Sequence, residues 1–388
     1  MRILLIVENI NSATGICIQT VAKAMRRRKH AVSILSRYES NEKADGVSYY
    51  TTSTKSRMPV KVQILMNLYQ WPIKNRSLIK EFIRVGTSII EQKHIDLVIG
   101  AYNSIEALLA GISLKENNKS VKYVSYFLDA LYKGQYLHFI PSFFSNCRAL
   151  KMQKYILDHS DKMVIMRSVE EQVLSSKLAD HKEKIAVLDI PLLELKEHRN
   201  MQTIHNETNK LKCVYMGSLP RNIRDPKYLL ELFAKTEKAE LFLYGTNGYP
   251  EYEKKYGNCD NIHFQGVVSR EKVSEILMEC DVAVNISNSI STMLPSKIFE
   301  YMSYDKYILS VSKGKIDPCS KYLDEYGKYM CINENEPIED ISERFDLWID
   351  YAKEQRSQSY VGIKTSRFLY KNTPEAFVEL MENSYESK

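Results

Sequence analysis

Apolar residues in this chain fall into short runs separated by stretches of helical spacing. Residues 2–7 form one such run, the pattern of a strand buried on both faces of a parallel sheet. The polar loop 9–15 carries helix-capping chemistry. Residues 16–29 place Val21, Ala22 and Met25 at helical spacing and end in Arg26-Arg27-Arg28-Lys29, which complements a helix macrodipole. Further strands are expected at 31–35, 96–100, 122–128, 162–166 and 185–190, with helical stretches between them. That alternation predicts a parallel sheet covered on both faces.

The periodicity fades between residues 194 and 210, a polar stretch that reads as a linker. It restarts with strands expected at 212–216, 239–244, 262–265, 281–286 and 307–311, and helices at 226–235, 271–279 and 295–303. The reading is α/β: two doubly wound, Rossmann-like domains facing across a cleft. Domain boundaries are expected at 1–193 and 211–365, with 366–388 forming a helical end that packs back on the N-terminal domain. No repeat of 20 to 50 residues is present.

Composition narrows the class. A chain of 388 residues suits two cores rather than one. Seven scattered cysteines without a C-x-x-C pair argue against a disulfide framework or zinc site and fit a reducing cytoplasm. The apolar run at 3–7 is too short for a signal peptide, and no run approaches the roughly 20 residues of a spanning helix. The net charge of +6 divides unevenly, +11 over residues 1–200 and −5 over 201–388. Residues 55–84 hold seven basic residues and one acid, interleaved with Leu65, Leu68, Tyr69 and Trp71. Such a stretch suits an anionic membrane surface, or simply a solvated helix face with core anchors. No nucleic-acid-binding motif accompanies the basic half. The expected location is cytoplasmic, at the inner face of the plasma membrane.

Several chemistries lack their signatures. The turn after Val7 contains only Gly15, and the turn after Met216 reads Gly217-Ser218-Leu219-Pro220, so neither carries G-x-G-x-x-G for NAD or FAD. A Walker P-loop, H-E-x-x-H and G-x-S-x-G are absent. What stands out is 285–301, where a strand ends in a small polar loop and a helix is expected to start at Pro295. In open α/β sheets ligands bind beyond the carboxyl ends of the strands, and free N–H groups at helix starts hold phosphate. Lys297 adds positive charge there. Glu300 lies four residues past Ser296 and three past Lys297, on the same face and about 6 Å along the axis. That offset is roughly the one between a diphosphate and its ribose. The same spacing also suits a plain amphipathic helix with Ile298, Phe299 and Met302 in the core and Glu300 in solvent.

Pro295-Ser-Lys-Ile-Phe-Glu-Tyr-Met302, followed by Tyr307-Ile308-Leu309, resembles the donor-site motif of GT-B glycosyltransferases, especially glycosyltransferase family 4. The resemblance extends through Val214-Tyr215-Met216-Gly217-Ser218, Leu243-Tyr244-Gly245 with Gly248, residues 261–267 and Cys280-Asp281-Val282-Ala283-Val284. It implies a metal-independent glycosyltransferase without a cofactor, its donor a nucleoside-diphosphate sugar with UDP or GDP as carrier. By resemblance, Glu300 binds ribose, Pro295, Ser296 and Lys297 sit by the diphosphate, and the Gly217–Ser218 loop and Gly245 face the phosphates. Arg221 or Arg224 would be the cation, unless both are plain exposed loop residues beside Asp225. The loop beginning at Val267 would meet the base. Many relatives carry a second glutamate, contacting the donor sugar, where this chain has Thr292. Without it, the sugar and the retaining outcome do not follow from the resemblance. No Asp-x-Asp metal motif is present.

The N-terminal half is expected to hold the acceptor, a glycan or lipid-linked glycan of capsule, exopolysaccharide or O-antigen assembly. Asp129 ends the 122–128 strand and suits an acceptor base, or a helix cap. His138 is the nearest histidine, and Asn11, Thr14 and Gly15 border the same side or form a simple capped turn. Two rivals keep the fold: a sugar-nucleotide epimerase, and a non-catalytic partner that binds sugar nucleotide or glycan.

Overall fold

The computed structural model describes residues 1–52, 70–132, 142–194, 210–221, 223–287, 294–314, 317, 319–355 and 366–386. The chain divides into two compact units, Met1–Pro191 with Lys371–Lys388, and Leu192–Tyr370. Residues 53–69, within the basic stretch, and most of the 194–210 linker lie outside the described residues.

The first unit runs β1 (Arg2–Val7), α1 (Ala13–Arg27), β2 (Ala31–Ser36), β3 (Val47–Thr51), α2 (Arg76–Lys93), β4 (Leu97–Tyr102), α3 (Ile105–Asn117), β5 (Lys122–Phe127), α4 (Ser142–His159), β6 (Lys162–Met166), α5 (Glu170–Leu174) and β7 (Ile185–Leu188). Its seven strands pair in parallel in the order β3-β2-β1-β4-β5-β6-β7. After their first residues, β1 and β2 are wholly buried, which explains their unbroken apolar runs. The outer strand β3, Val-Ser-Tyr-Tyr-Thr, is half-buried and mixed, so it gave no apolar run to single out.

The second unit runs β8 (Leu211–Met216), α6 (Lys227–Phe233), β9 (Ala239–Tyr244), α7 (Pro250–Tyr256), β10 (Ile262–Gly266), α8 (Arg270–Glu279), β11 (Val282–Ile286), α9 (Lys297–Ser303), β12 (Tyr307–Ser312), α10 (Ser320–Tyr326), β13 (Tyr329–Asn333), α11 (Ile338–Gln355) and α12 (Arg367–Tyr370). Its six parallel strands take the order β10-β9-β8-β11-β12-β13. Phe233, Leu241, Val284 and Phe345 lie in its core. The helix expected from Pro295 starts at Lys297 instead, after Ser296, whose side chain makes no cap bond. Pro295 is thus part of the approach to the helix rather than its first turn. In both sheets the strand order reverses beside the first strand, at β1/β4 and β8/β11, the places where doubly wound sheets open a crevice for ligands.

The last helix, α13 (Pro374–Glu386), belongs to the first unit and packs on α1. The basic run at the end of α1 finds its partners here: Arg27 pairs with Glu375, and Arg28 with Glu379 and Glu382, at 2.8–3.1 Å. Phe377 packs on Tyr126, ring centroids 4.6 Å apart, so an apolar contact accompanies the charges.

Candidate functional site

In the second unit the turns after β8, β9 and β10 stand side by side. Gly217 N–H donates to Tyr244 O at 2.9 Å and Gly245 N–H to Gly266 O at 2.7 Å. Gly245 has φ +126°, and a Cβ there would lie 2.0 Å from Gly217 O. Only glycine lets these two turns approach so closely. A cavity of about 70 Å³ opens among Gly217, Leu219, Gly245, Asn247, Glu253 and Phe264. Ligand pockets run to roughly 300 Å³ or more, so this is a notch beside the switch point rather than a whole site.

Helix α9 is tied to the same switch point. Tyr301, fully buried, donates its hydroxyl to Met216 O, the last residue of β8, at 3.4 Å. Ile298, Phe299 and Met302 are completely buried and fix the helix's roll. Lys297 and Glu300 occupy the remaining face, with Lys297 Nζ donating to Glu300 Oε2 at 2.7 Å. The core-facing stripe is present, and beside it lies a cation–carboxylate pair in which Glu300 is only 13% exposed rather than in solvent.

The two arginines after Gly217 separate cleanly. Arg221 turns toward α7, where its guanidinium bonds Glu251 at 2.6 Å and lies over the Tyr249 ring. Arg224 turns back to the β8 turn, donating to Ser218 O at 3.4 Å. A Cβ on Gly217 would sit 3.7 Å from its Nη1. Tyr215 also bonds Ser218 O at 3.0 Å, and burial raises its hydroxyl's pKa against the opposing pull of Arg224. Val267, after β10, is 72% exposed. Thr292 lies outside the described residues. The residues brought together near the end of β8 are therefore Gly217, Ser218, Gly245 and Arg224, with α9 anchored there through Tyr301. Arg221 is held elsewhere. Tyr215 and Tyr301 support this corner; both lie within the segments that resemble the family, where neither was given a role.

In the first unit the loop after β1 is braced rather than open. Asn11 donates to Glu39 O at 2.8 Å and accepts from Asn41 N–H at 3.0 Å, so its amide is occupied. Thr14 is buried, and Ser12 caps α1 through Gly15 N–H. A Cβ on Gly15 would meet Ile10 O at 2.1 Å, so this glycine is required for packing. Polar groups the sequence did not flag gather at this switch point. Asn103 accepts from Glu8 N–H and donates to Ser12 Oγ, and Arg37 pairs with Glu8 at 3.3 Å. Glu106, buried in the first turn of α3, accepts the N–H groups of Lys74 and Asn75, and burial raises its carboxyl's pKa.

Asp129 follows β5. The residue is exposed, yet the protein around it partly desolvates the carboxyl and raises its pKa to about 6. Its charge is felt by the phenol of Tyr102 on β4 and by the thiol of Cys17 on α1, which burial pushes up to about 12. His138 lies outside the described residues. All seven thiols are free. Among the described residues no helix is long and apolar enough to cross a membrane.

Comparison with known proteins bears on the second unit first. Residues 210–339 match the family model described as glycosyl transferases group 1. The match spans about a third of the chain and contains every donor-side residue named above. No curated protein matches the chain. Solved structures match along its whole length. Sucrose-phosphate synthase from Thermosynechococcus elongatus aligns with a TM-score of 0.66 at 11% identity, over 100% of both chains. Anabaena HepE in complex with UDP-glucose gives 0.60 at 13% identity, over 100% of this chain and 99% of its own. WaaG, a glycosyltransferase involved in lipopolysaccharide biosynthesis, gives 0.57 at 14% identity, over 97% and 99%. At such identities the likeness shows the fold, and the fold is that of the GT-B glycosyltransferases.

Proposed function

We propose that this protein is a glycosyltransferase that moves a sugar from a nucleoside-diphosphate sugar to a hydroxyl of a glycan or lipid-linked glycan, in the assembly of a capsule, exopolysaccharide or O-antigen. One observation carries the reading: the Lys297–Glu300 pair on a helix anchored to the β8 end, where Arg224 folds over the Gly217 turn. In this reading Glu300 accepts the ribose hydroxyls. Lys297 and Ser296 contact the diphosphate, with Pro295 setting their approach. Arg224 lies across the phosphates from the Gly217–Ser218 and Gly245 turns, and Val267 meets the base. The carrier is UDP or GDP; HepE, of the same fold, is seen with UDP-glucose.

The chemistry follows from charge. A departing nucleoside diphosphate accumulates negative charge, and fixed cations aimed at it lower the barrier. Arg224 and Lys297 supply them without a metal. Lys297 is held by Glu300, so donor binding would exchange one partner for another: ribose takes the carboxylate and phosphate takes the ammonium. In the first unit Asp129 is the acceptor base. A pKa near 6 leaves its carboxyl ionised at neutral pH and still basic enough to draw a proton from a hydroxyl.

The protein works at the inner face of the membrane in this reading. Supporting it, Phe143 and Phe144 at the start of α4 are 70% and 60% exposed, with Arg148 and Lys151 exposed on the next turns. Co-sedimentation with phosphatidylglycerol vesicles but not phosphatidylcholine vesicles is expected, and Phe143→Ser with Phe144→Ser should abolish it.

The decisive assay follows nucleoside diphosphate release from a panel of UDP-, GDP-, ADP- and dTDP-sugars, with and without lipid-linked glycan acceptors. Release that depends on acceptor is the expected result. Conversion of a donor sugar with no acceptor present would establish an epimerase instead. Binding without turnover on any acceptor would point to a non-catalytic partner.

A further inference from the structure

Asp317 lies at the carboxyl edge of the second sheet and is 6% exposed. Its Oδ1 accepts the Ser287 hydroxyl at 2.9 Å and the Cys319 N–H at 2.9 Å. Its Oδ2 accepts the Ser310 hydroxyl at 2.6 Å and meets the Cys331 thiol at 3.9 Å. Asn285, equally buried, donates to Ser310 Oγ at 2.9 Å and to Cys319 Sγ at 3.6 Å. One carboxylate thus joins Ser287, just after β11, to Ser310 within β12, Cys331 in the middle of β13 and the start of α10. Each of these contacts is with a neutral donor. Burying a carboxylate is costly, and a core that needs only to be stable is served as well by apolar side chains. What the carboxylate adds is a fixed direction for each group it binds.

The group that matters is Ser287. It directly follows β11, the strand that pairs with β8 at the switch point. Its own N–H continues the sheet by donating to Val311 O at 2.9 Å. Residues 288–293, between Ser287 and α9, lie outside the described residues. We propose that Asp317 is a positioning residue for the sugar-nucleotide site: through Ser287 it fixes where the chain leaves β11, beside β8 at the crevice. This rests on the donor-site reading above.

Titration of the full-length protein with UDP, GDP, ADP and dTDP, alongside thermal unfolding, tests it. Ser287→Ala removes one contact and should weaken nucleotide binding about tenfold. Asp317→Ala should do the same, and the double variant should bind no worse than Asp317→Ala alone, because both changes remove one interaction. Asp317→Asn keeps an oxygen for Ser287 and for Cys319 N–H, turning its amide nitrogen toward Ser310, whose hydroxyl can accept. It should stay within about threefold of the parent. Ser310→Ala should lower Tm while leaving affinity unchanged.

A merely structural network would give affinity losses that follow the Tm losses across the set, and that pattern overturns the proposal. Ser287→Ala binding like the parent overturns it as well, and needs no result from Asp317→Ala should that variant fail to fold. If the parent binds none of the four nucleotides, the functional reading falls and the positioning role with it. If the parent binds and Ser287→Ala is unaffected, only the positioning role falls.

Discussion

Glu300→Gln is the sharpest single perturbation of the donor site. The amide keeps the shape of the carboxylate and removes its charge. A charge-assisted hydrogen bond contributes about 1.5–3 kcal/mol and a neutral one about 0.5–1.5. With two ribose hydroxyls bound, the substitution should cost about 2–3 kcal/mol, roughly a 30- to 150-fold rise in Kd. One effect opposes this. Glu300 holds Lys297 at 2.7 Å, and the variant frees that ammonium for phosphate. The pair spans i,i+3, with Lys297 31% and Glu300 13% exposed, and such helix pairs contribute only about 0.5 kcal/mol. The loss of ribose contacts therefore wins, and Tm should move by no more than about 2 °C. Isothermal titration with UDP and with 2′-deoxy-UDP reads the outcome. The deoxy nucleotide lacks one of the two hydroxyls, so the variant should penalise it less than UDP. Equal penalties for the two, or an unchanged Kd for every nucleotide the parent binds, would refute the assignment of Glu300 to ribose.

Three further outcomes are expected. Arg224→Ala should weaken nucleoside-diphosphate binding about tenfold or more, whereas Arg221→Ala, whose guanidinium is held by Glu251, should stay within about twofold; calorimetry that reverses this order would exchange their roles. Asp129 has a folded-state pKa raised from 3.8 to about 6, so the stability it contributes is present when it is protonated and is lost as pH rises from about 4 to 6. Asp129→Asn should accordingly raise Tm at pH 7.5 and leave it nearly unchanged at pH 4, while the parent's transfer rate climbs through pH 6 and the variant's stays low and flat; a parent rate independent of pH across that interval removes the base role. Gly245→Ala, with its Cβ 2.0 Å from Gly217 O, should cost several times more in urea unfolding than Gly266→Ala, which meets nothing within 4 Å and bears only the strain of φ +70°, about 1–2 kcal/mol.

How far the molecule is legible in its sequence depends on the range of the interaction that carries each feature. The central strands were visible because parallel pairing buries both of their faces and leaves unbroken apolar runs; β3 and β13, two of the four outer strands, present mixed residues and were missed, whereas β7 and β10, also outer, kept enough apolar residues to be expected. Lys297 and Glu300 were visible because helical spacing alone puts them on one face, whatever surrounds the helix. Arg221 and Arg224 could not be told apart, since their difference lies in Glu251 and Tyr249, about thirty residues further along, and in the path of a turn that no local pattern encodes. The basic end of α1 has the same character: its spacing suggests a macrodipole partner, while its ion pairs are glutamates some 350 residues away. Asp317 is the extreme case, a carboxylate in an unremarkable stretch of sequence whose partners lie just after β11, within β12 and β13, and at the start of α10. Of the groups expected to touch the donor, Lys297 and Glu300 are thus local and readable, whereas Arg224 and the network around Asp317 emerge only on folding. A test confined to Lys297 and Glu300 would therefore probe the contacts proposed for this site without probing what holds the strand end beside it, and the Ser287 and Asp317 variants supply the second half of that experiment.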